Sequence, residues 1–190
     1  MRWLTLYARS RQVPASTAAV TLVALTVWAL DRHGAGPMDL GLAVLILTAN
    51  VAAASVGLGG PDVVLERTGA IRWVPRRAAH VLLVGAFAGA ALLTVQAAGA
   101  KPAPTEVIVR DAAGLVGLAA LGAALCGAHL AWTLPTGWLG FTLFVPTPNG
   151  TVGEVVNWML FPPGTTASAW TAWVLLAIGT VGYAVAGPRR

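Results

Sequence analysis

Apolar residues fall into six runs, each closed by glycine, proline or charge: about 16–30, 38–58, 79–98, 109–133, 135–148 and 168–187. Several approach the ~20 residues a helix needs to cross a hydrocarbon core of about 30 Å. The first run is short unless it starts at Val13, and a basic, amphipathic segment precedes it. Residues 2–12 combine apolar or amphipathic Trp3, Leu4, Leu6 and Tyr7 with cationic Arg2, Arg9 and Arg11, which suits a helix lying in the headgroup layer. Pro14 separates the two. A signal peptide also begins with basic then apolar residues. This run, however, continues to Leu30 and ends in Asp31-Arg32-His33 without a small-x-small cleavage site, so an uncleaved span is expected. The pattern predicts an all-α integral membrane fold, one transmembrane domain over 1–190 with six transmembrane helices.

Two places depart from a plain succession of spans. Leu134-Pro-Thr-Gly137 reads as a turn, and from Trp138 to Val145 there are eight residues before Pro146 and Pro148. At about 1.5 Å per residue that stretch cannot cross, so its helix must begin earlier or the residues after it must contribute at membrane depth. Those residues include a short apolar segment, 151–161, with Thr151 and Glu154 at capping-box spacing and Pro162-Pro163 at its end. It is too short to span and too apolar to project into water. It reads as an interfacial or re-entrant outer helix between spans 5 and 6. In span 3, Gly85 and Gly89 are spaced so that another helix can approach closely.

Composition supports a lipid environment. Charged residues make up 10% of the chain, against about 25% in a soluble domain. The net charge of +5 does not indicate nucleic acid, because the cations lie between apolar runs without an interleaved aromatic stripe. Their distribution sets orientation instead. With both termini inside, the inner segments hold nine of the twelve cations and two of the seven acids, a net +7. The outer segments hold three cations and five acids, a net −2. Positive-inside bias therefore predicts N-in/C-in. Trp28, Trp73, Trp132, Trp138, Trp158 and Trp170 fall near span ends, as in an aromatic belt. The abundance of Arg, Ala, Gly and Val suggests a GC-rich bacterial gene, hence a multi-pass protein of the bacterial inner (plasma) membrane.

Candidate chemistry is sparse. Arg110-Asp111 opens span 4; it reads as a charged gate near the outer mouth, or as an interfacial pair snorkelling to water. Glu154, Asn157 and Trp158 lie on the outer helix, as path-lining groups or as cap and interfacial residues. Asn50, in mid-span 2, is either interhelical glue or a path-facing group. Cys126 and His129 stand at i, i+3, too few ligands for a metal, and no metal site is expected; His129 is expected to be hydrogen-bonded within the bundle and His80 to lie in the inner headgroup zone. No G-x-x-x-x-G-K-[ST], G-x-S-x-G or H-E-x-x-H occurs.

The basic stretch 59–78 joins spans 2 and 3 and carries Asp62, Glu66, Arg67, Arg72, Arg76 and Arg77. With the amphipathic segment 3–12 and the outer helix 151–163, it gives a layout that resembles the membrane subunit of ABC-2-type exporters. The resemblance is one of topology and covers the whole chain. It implies an ATP-driven exporter permease that does no chemistry itself. ATP and Mg would bind a separate ABC-type ATPase subunit, gripping Asp62, Leu65, Glu66, Arg67, Thr68 and Arg72. A second permease copy or homologue would complete the path. Arg72, Arg76 and Arg77 would also anchor the start of span 3 in headgroups. Two other readings stand beside it: a small integral-membrane enzyme or assembly factor using Asp111, His129, Glu154 or Asn157, and a secondary transporter.

Overall fold

A computed structural model describes residues 39–59 and 73–188, with helical positions scattered between 17 and 29. The expected interfacial helix 2–12 and the proposed coupling residues 62–72 lie outside the described residues. Asp39 starts the first continuous helix. Its Oδ2 accepts from the amides of Gly41 (2.9 Å) and Leu42 (3.3 Å), satisfying donors that helix geometry leaves without partners. Helix α1 runs Leu40–Ser55 and tightens into a 3-10 turn, Val56–Leu58. Helix α2 runs Trp73–Ala97, α3 Thr105–Leu125, α4 Thr133–Phe144, α5 Thr151–Val156 and α6 Thr166–Ala186. Single 3-10 turns occupy Ala128–Leu130 and Trp158–Leu160. Among the described residues there is no strand.

Four of these helical segments are long and apolar enough to cross a membrane: Leu40–Leu58, Trp73–Ala97, Thr105–Leu125 and Thr166–Ala186. The described residues form an all-helical bundle around α3, with four helices suited to a membrane. In its most apolar window α3 is 89% buried, against 22% for α6, so α3 is the inner post and α6 an outer stave. Leu40, Gln96, Val107 and Pro162 surround one cleft, which places the start of α1 and α3 and the end of α2 together. At the opposite end Gly59 lies against Ala128, the Tyr183 hydroxyl donates to the Leu58 carbonyl, and Arg77 Nη1 donates to the Ala184 carbonyl (3.5 Å). Hence α1, α3 and α6 run parallel and α2 runs against them.

Several boundaries differ from the hydropathy reading. Helix α2 starts six residues before position 79, so Arg76 and Arg77 belong to its first turn and a half rather than to a loop. The expected fourth span, 109–133, is interrupted: α3 stops at Leu125, and Gly127 turns the chain with φ +105°, a conformation that disfavours any Cβ. Cys126 and His129 therefore do not share a helix face, and both are exposed. His129 is thus not held within the bundle. His80 makes a 2.9 Å hydrogen bond with the Gly57 carbonyl.

The turn expected at 134–137 is instead the start of α4. Pro135 fits there because first-turn amides have no intrahelical acceptor. At 12 residues, about 18 Å, α4 remains too short to cross. Thr151 is the first residue of α5 rather than its cap. Gly150 holds the cap position with φ +73°, and no side-chain cap bond forms, so the expected capping box is absent. The short outer helix is also broken. Asn157 ends α5 and the 3-10 turn completes the segment.

Candidate functional site: an ion pair that clamps a broken segment

Between α4 and α6 the chain crosses residues 145–165 with two short helical pieces and much irregular backbone. Irregular backbone at membrane depth persists only when its polar groups find partners inside the protein. Here Arg110 supplies them. Its Nε donates to Asp111 Oδ1 at 2.8 Å. Nη2 donates to the carbonyls of Phe161 (3.0 Å) and Met159 (3.4 Å), and Nη1 to that of Pro162 (3.4 Å). One guanidinium thus ties the second turn of α3 to three closely spaced carbonyls some fifty residues later. Thr165 Oγ1 also donates to the Pro162 carbonyl (3.0 Å).

Arg110 is 6% exposed and Asp111 fully buried. The reading of this pair as an interfacial one that snorkels to water is therefore overturned. Helix α3 begins at Thr105, four residues earlier than hydropathy placed it, and this carries the pair inside. Other bonds brace the same segment. Trp138 Nε1 donates to the Val156 carbonyl (3.0 Å), tying α4 to α5. Ser168 Oγ donates to the Glu154 carbonyl (3.0 Å), tying α5 to α6.

Trp158 is fully buried, not part of an interfacial belt. Its ring lies across Gly114, one turn below Asp111 on α3, where a Cβ would collide with three ring carbons. Gly114→Ala should therefore cost about 1–3 kcal/mol by overpacking. Thermal unfolding in detergent, compared with the wild type, checks this.

Of the six residues proposed for a path or gate, Arg110 and Asp111 are joined directly, and Trp158 packs one turn away. The side-chain amides of Asn157 and Asn50, Trp158 Nε1 and Asp111 Oδ2 are buried without a hydrogen-bond partner among the described residues. Asn50 stands on the same side of α1 as Ala43 and Leu47, which line a cavity of about 10 Å³ beside Asp111. Buried polar groups of this kind are costly within a membrane bundle and mark it as a candidate site. Glu154 is half-buried on α5 and makes no ion pair among the described residues. His129 lies beyond the far end of α3, roughly 20 Å from Asp111 at 1.5 Å per residue. Asp111 and His129 are thus not brought together. Among the described residues, no group of three His, Cys, Asp or Glu side chains is placed to hold a metal ion.

The residues sequence reasoning missed are the acceptors Met159, Phe161 and Pro162. They act through backbone carbonyls, which leave no trace in side-chain identity. Comparison with known proteins finds no family model, no characterised protein and no solved structure that matches this chain.

Proposed function

We propose that the chain is the membrane-spanning subunit of an ATP-driven exporter in the bacterial cell membrane. The observation that carries this reading is the broken segment between α4 and α6, folded back into one end of the bundle and clamped by Arg110. A re-entrant connection between the last two spans is what the resemblance to ABC-2-type permeases implies. On this reading two further spans, 16–30 and the broken 135–148 segment, complete six. The basic end, where Arg76 and Arg77 lie, faces the cytosol. A second permease copy or homologue closes the path, and ATP and Mg bind a separate ATPase. That ATPase grips Asp62, Leu65, Glu66, Arg67, Thr68 and Arg72.

Charge placement is compatible with this arrangement. Removing Arg110 and Asp111 from the outer count leaves its net −2 unchanged, because the two charges cancel. Rigid helices could transmit motion of the 59–78 connection along α1 and α2 to the clamped end. Of the residues named for the enzyme reading, Asp111, His129, Glu154 and Asn157, His129 lies far from Asp111, beyond the end of α3.

The test is purification of the complex from its native membrane in mild detergent. An ATP-hydrolysing subunit should accompany the chain. Glu66→Ala combined with Arg67→Ala should remove that subunit and its ATPase activity, while the chain's own melting temperature stays within about 2 °C of wild type, a change worth under about 0.5 kcal/mol. A chain that is active alone and indifferent to those changes overturns the proposal.

A further inference from the structure

Beside the clamp, at the same end of the bundle, a groove of about 820 Å³ opens between the N-terminal turns of α3 and α6. Its polar lining comes from Thr105, Glu106, Arg110, Thr165 and Thr166. Trp170 and Trp173, both exposed, form its aromatic wall. A second space of about 340 Å³ continues from it between α2, α3 and α6. The two share Val109 and Trp173. This slot is lined almost wholly by apolar groups: Leu82, Ala86 and Leu93 on one side face Ala112, Val116 and Leu176 on the other, with Gly85 and Gly89 at its base. The juxtaposition is a polar bowl leading into an apolar channel along the helices.

The bowl offers hydrogen-bond donors rather than net positive charge, since Arg110 is already paired with Asp111. Two helix N-termini open on it, each with amides lacking intrahelical acceptors and a positive dipole end. Arg110 adds a buried cation. It donates four hydrogen bonds, one from Nε, one from Nη1 and two from Nη2, so one of its five N–H groups, on Nη1, is still uncommitted. Glu106 supplies an acid at the rim, suited to an amine beside a phosphate. The slot matches a chain of methylenes and nothing with hydrogen-bonding needs.

We infer that the α2/α3/α6 groove is a phospholipid site, with the phosphate in the bowl beside Arg110 and one acyl chain in the slot. This goes beyond the transport reading and does not depend on it, because binding belongs to this chain alone and is measured without an ATPase. Gly85 and Gly89 let α2 approach Val116 and Ala112, which closes the base of the slot.

The test uses the full chain in maltoside detergent and native mass spectrometry. Phosphatidylethanolamine and phosphatidylglycerol are titrated in parallel with diacylglycerol of the same chains and with inorganic phosphate. One phospholipid per chain should be retained, at least tenfold more strongly than diacylglycerol, with no retained phosphate. Retained phosphate alone, or equal binding of phospholipid and diacylglycerol, overturns the inference. Ala86→Phe fills the slot from an exposed position and should reduce retention at least tenfold. Ile178→Ala, on the exposed side of α6 and outside the groove, should leave it unchanged. Equal loss in both, or in neither, means annular lipid only. A phospholipid with a diazirine at its chain end gives a readout independent of variants. Crosslinks confined to peptides spanning 82–93 and 173–176 support the site, and labelling spread evenly over the exposed apolar faces rejects it.

Discussion

Arg110→Leu is expected to destabilise the protein by about 3–5 kcal/mol, the range for removing one partner of a buried ion pair. Two losses combine. The Asp111 carboxylate, fully buried, is left without its counter-ion. The carbonyls of Met159 and Phe161 lose their donor, and that of Pro162 keeps only Thr165 Oγ1. In an apolar interior each such group costs free energy comparable to a lost hydrogen bond. Arg110→Lys should fall between, because one ammonium cannot reproduce a planar fork that addresses a carboxylate and three carbonyls together. Arg110→Leu with Asp111→Leu should recover part of the loss, since the lone charge is gone while the carbonyls stay bare. Denaturation in mixed micelles gives the free energies. Hydrogen exchange over the peptide 157–163 should rise in all three variants. An Arg110→Leu protein within about 1 kcal/mol of wild type, with unchanged exchange there, rejects the clamp.

The clamp also shows which parts of this molecule were legible in its sequence. Crossing a bilayer demands length and apolarity, both of which are written residue by residue. The runs at 38–58 and 168–187 accordingly emerge as Leu40–Leu58 and Thr166–Ala186, within two residues at every end. Helix α2 begins earlier than its apolar run because a helix does not stop where lipid stops. Its first two turns carry Arg76 and Arg77, and Arg76 stacks over Trp73 with 5.9 Å between guanidinium and ring centroid. The stop of α3 at Leu125 was less legible. Gly114, Gly117, Gly122 and Gly127 are alike in sequence, yet only Gly127 takes a positive φ.

The candidate site was half legible for a related reason. Intramembrane charges and amides are rare enough to draw attention, and Asn50, Arg110, Asp111 and Asn157 all prove buried. Their partners were not legible. Arg110 and Asp111 read as a pair from their adjacency, but at the surface, and nothing in their spacing pointed to burial or to the carbonyls of Met159, Phe161 and Pro162. They meet because the long arginine side chain folds back along α3. Trp158 was misassigned because a tryptophan near a span end usually sits at the interface. Only the absence of a side chain at Gly114, forty-four positions away, gives this one a place inside.

The second large effect is expected at Gly117 and Gly179. These residues set the crossing of α3 and α6, the most extensive helix contact among the described residues. A Cβ on Gly117 would strike the carbonyl of Leu175, and one on Gly179 would strike the carbonyl of Gly117. The obstacle in both cases is backbone, which cannot move aside by changing rotamer. Either substitution must therefore push two helices apart along their whole contact. Overpacking typically costs about 1–3 kcal/mol, and Gly117→Ala or Gly179→Ala should lie at the upper end, with leucine beyond it. Gly137→Ala and Gly140→Ala are the matching controls on α4. Neither would meet any atom within 4 Å, so the gain in helix propensity, about 0.5–1 kcal/mol per residue, should leave stability equal or higher. Thermal unfolding of the four alanine variants in one detergent separates the two pairs. If the α3 and α6 variants melt with the controls, these helices do not meet at Gly117 and Gly179. Such a result would also remove the α6 wall of the phospholipid groove, because only this close crossing sets Trp173 opposite Val109.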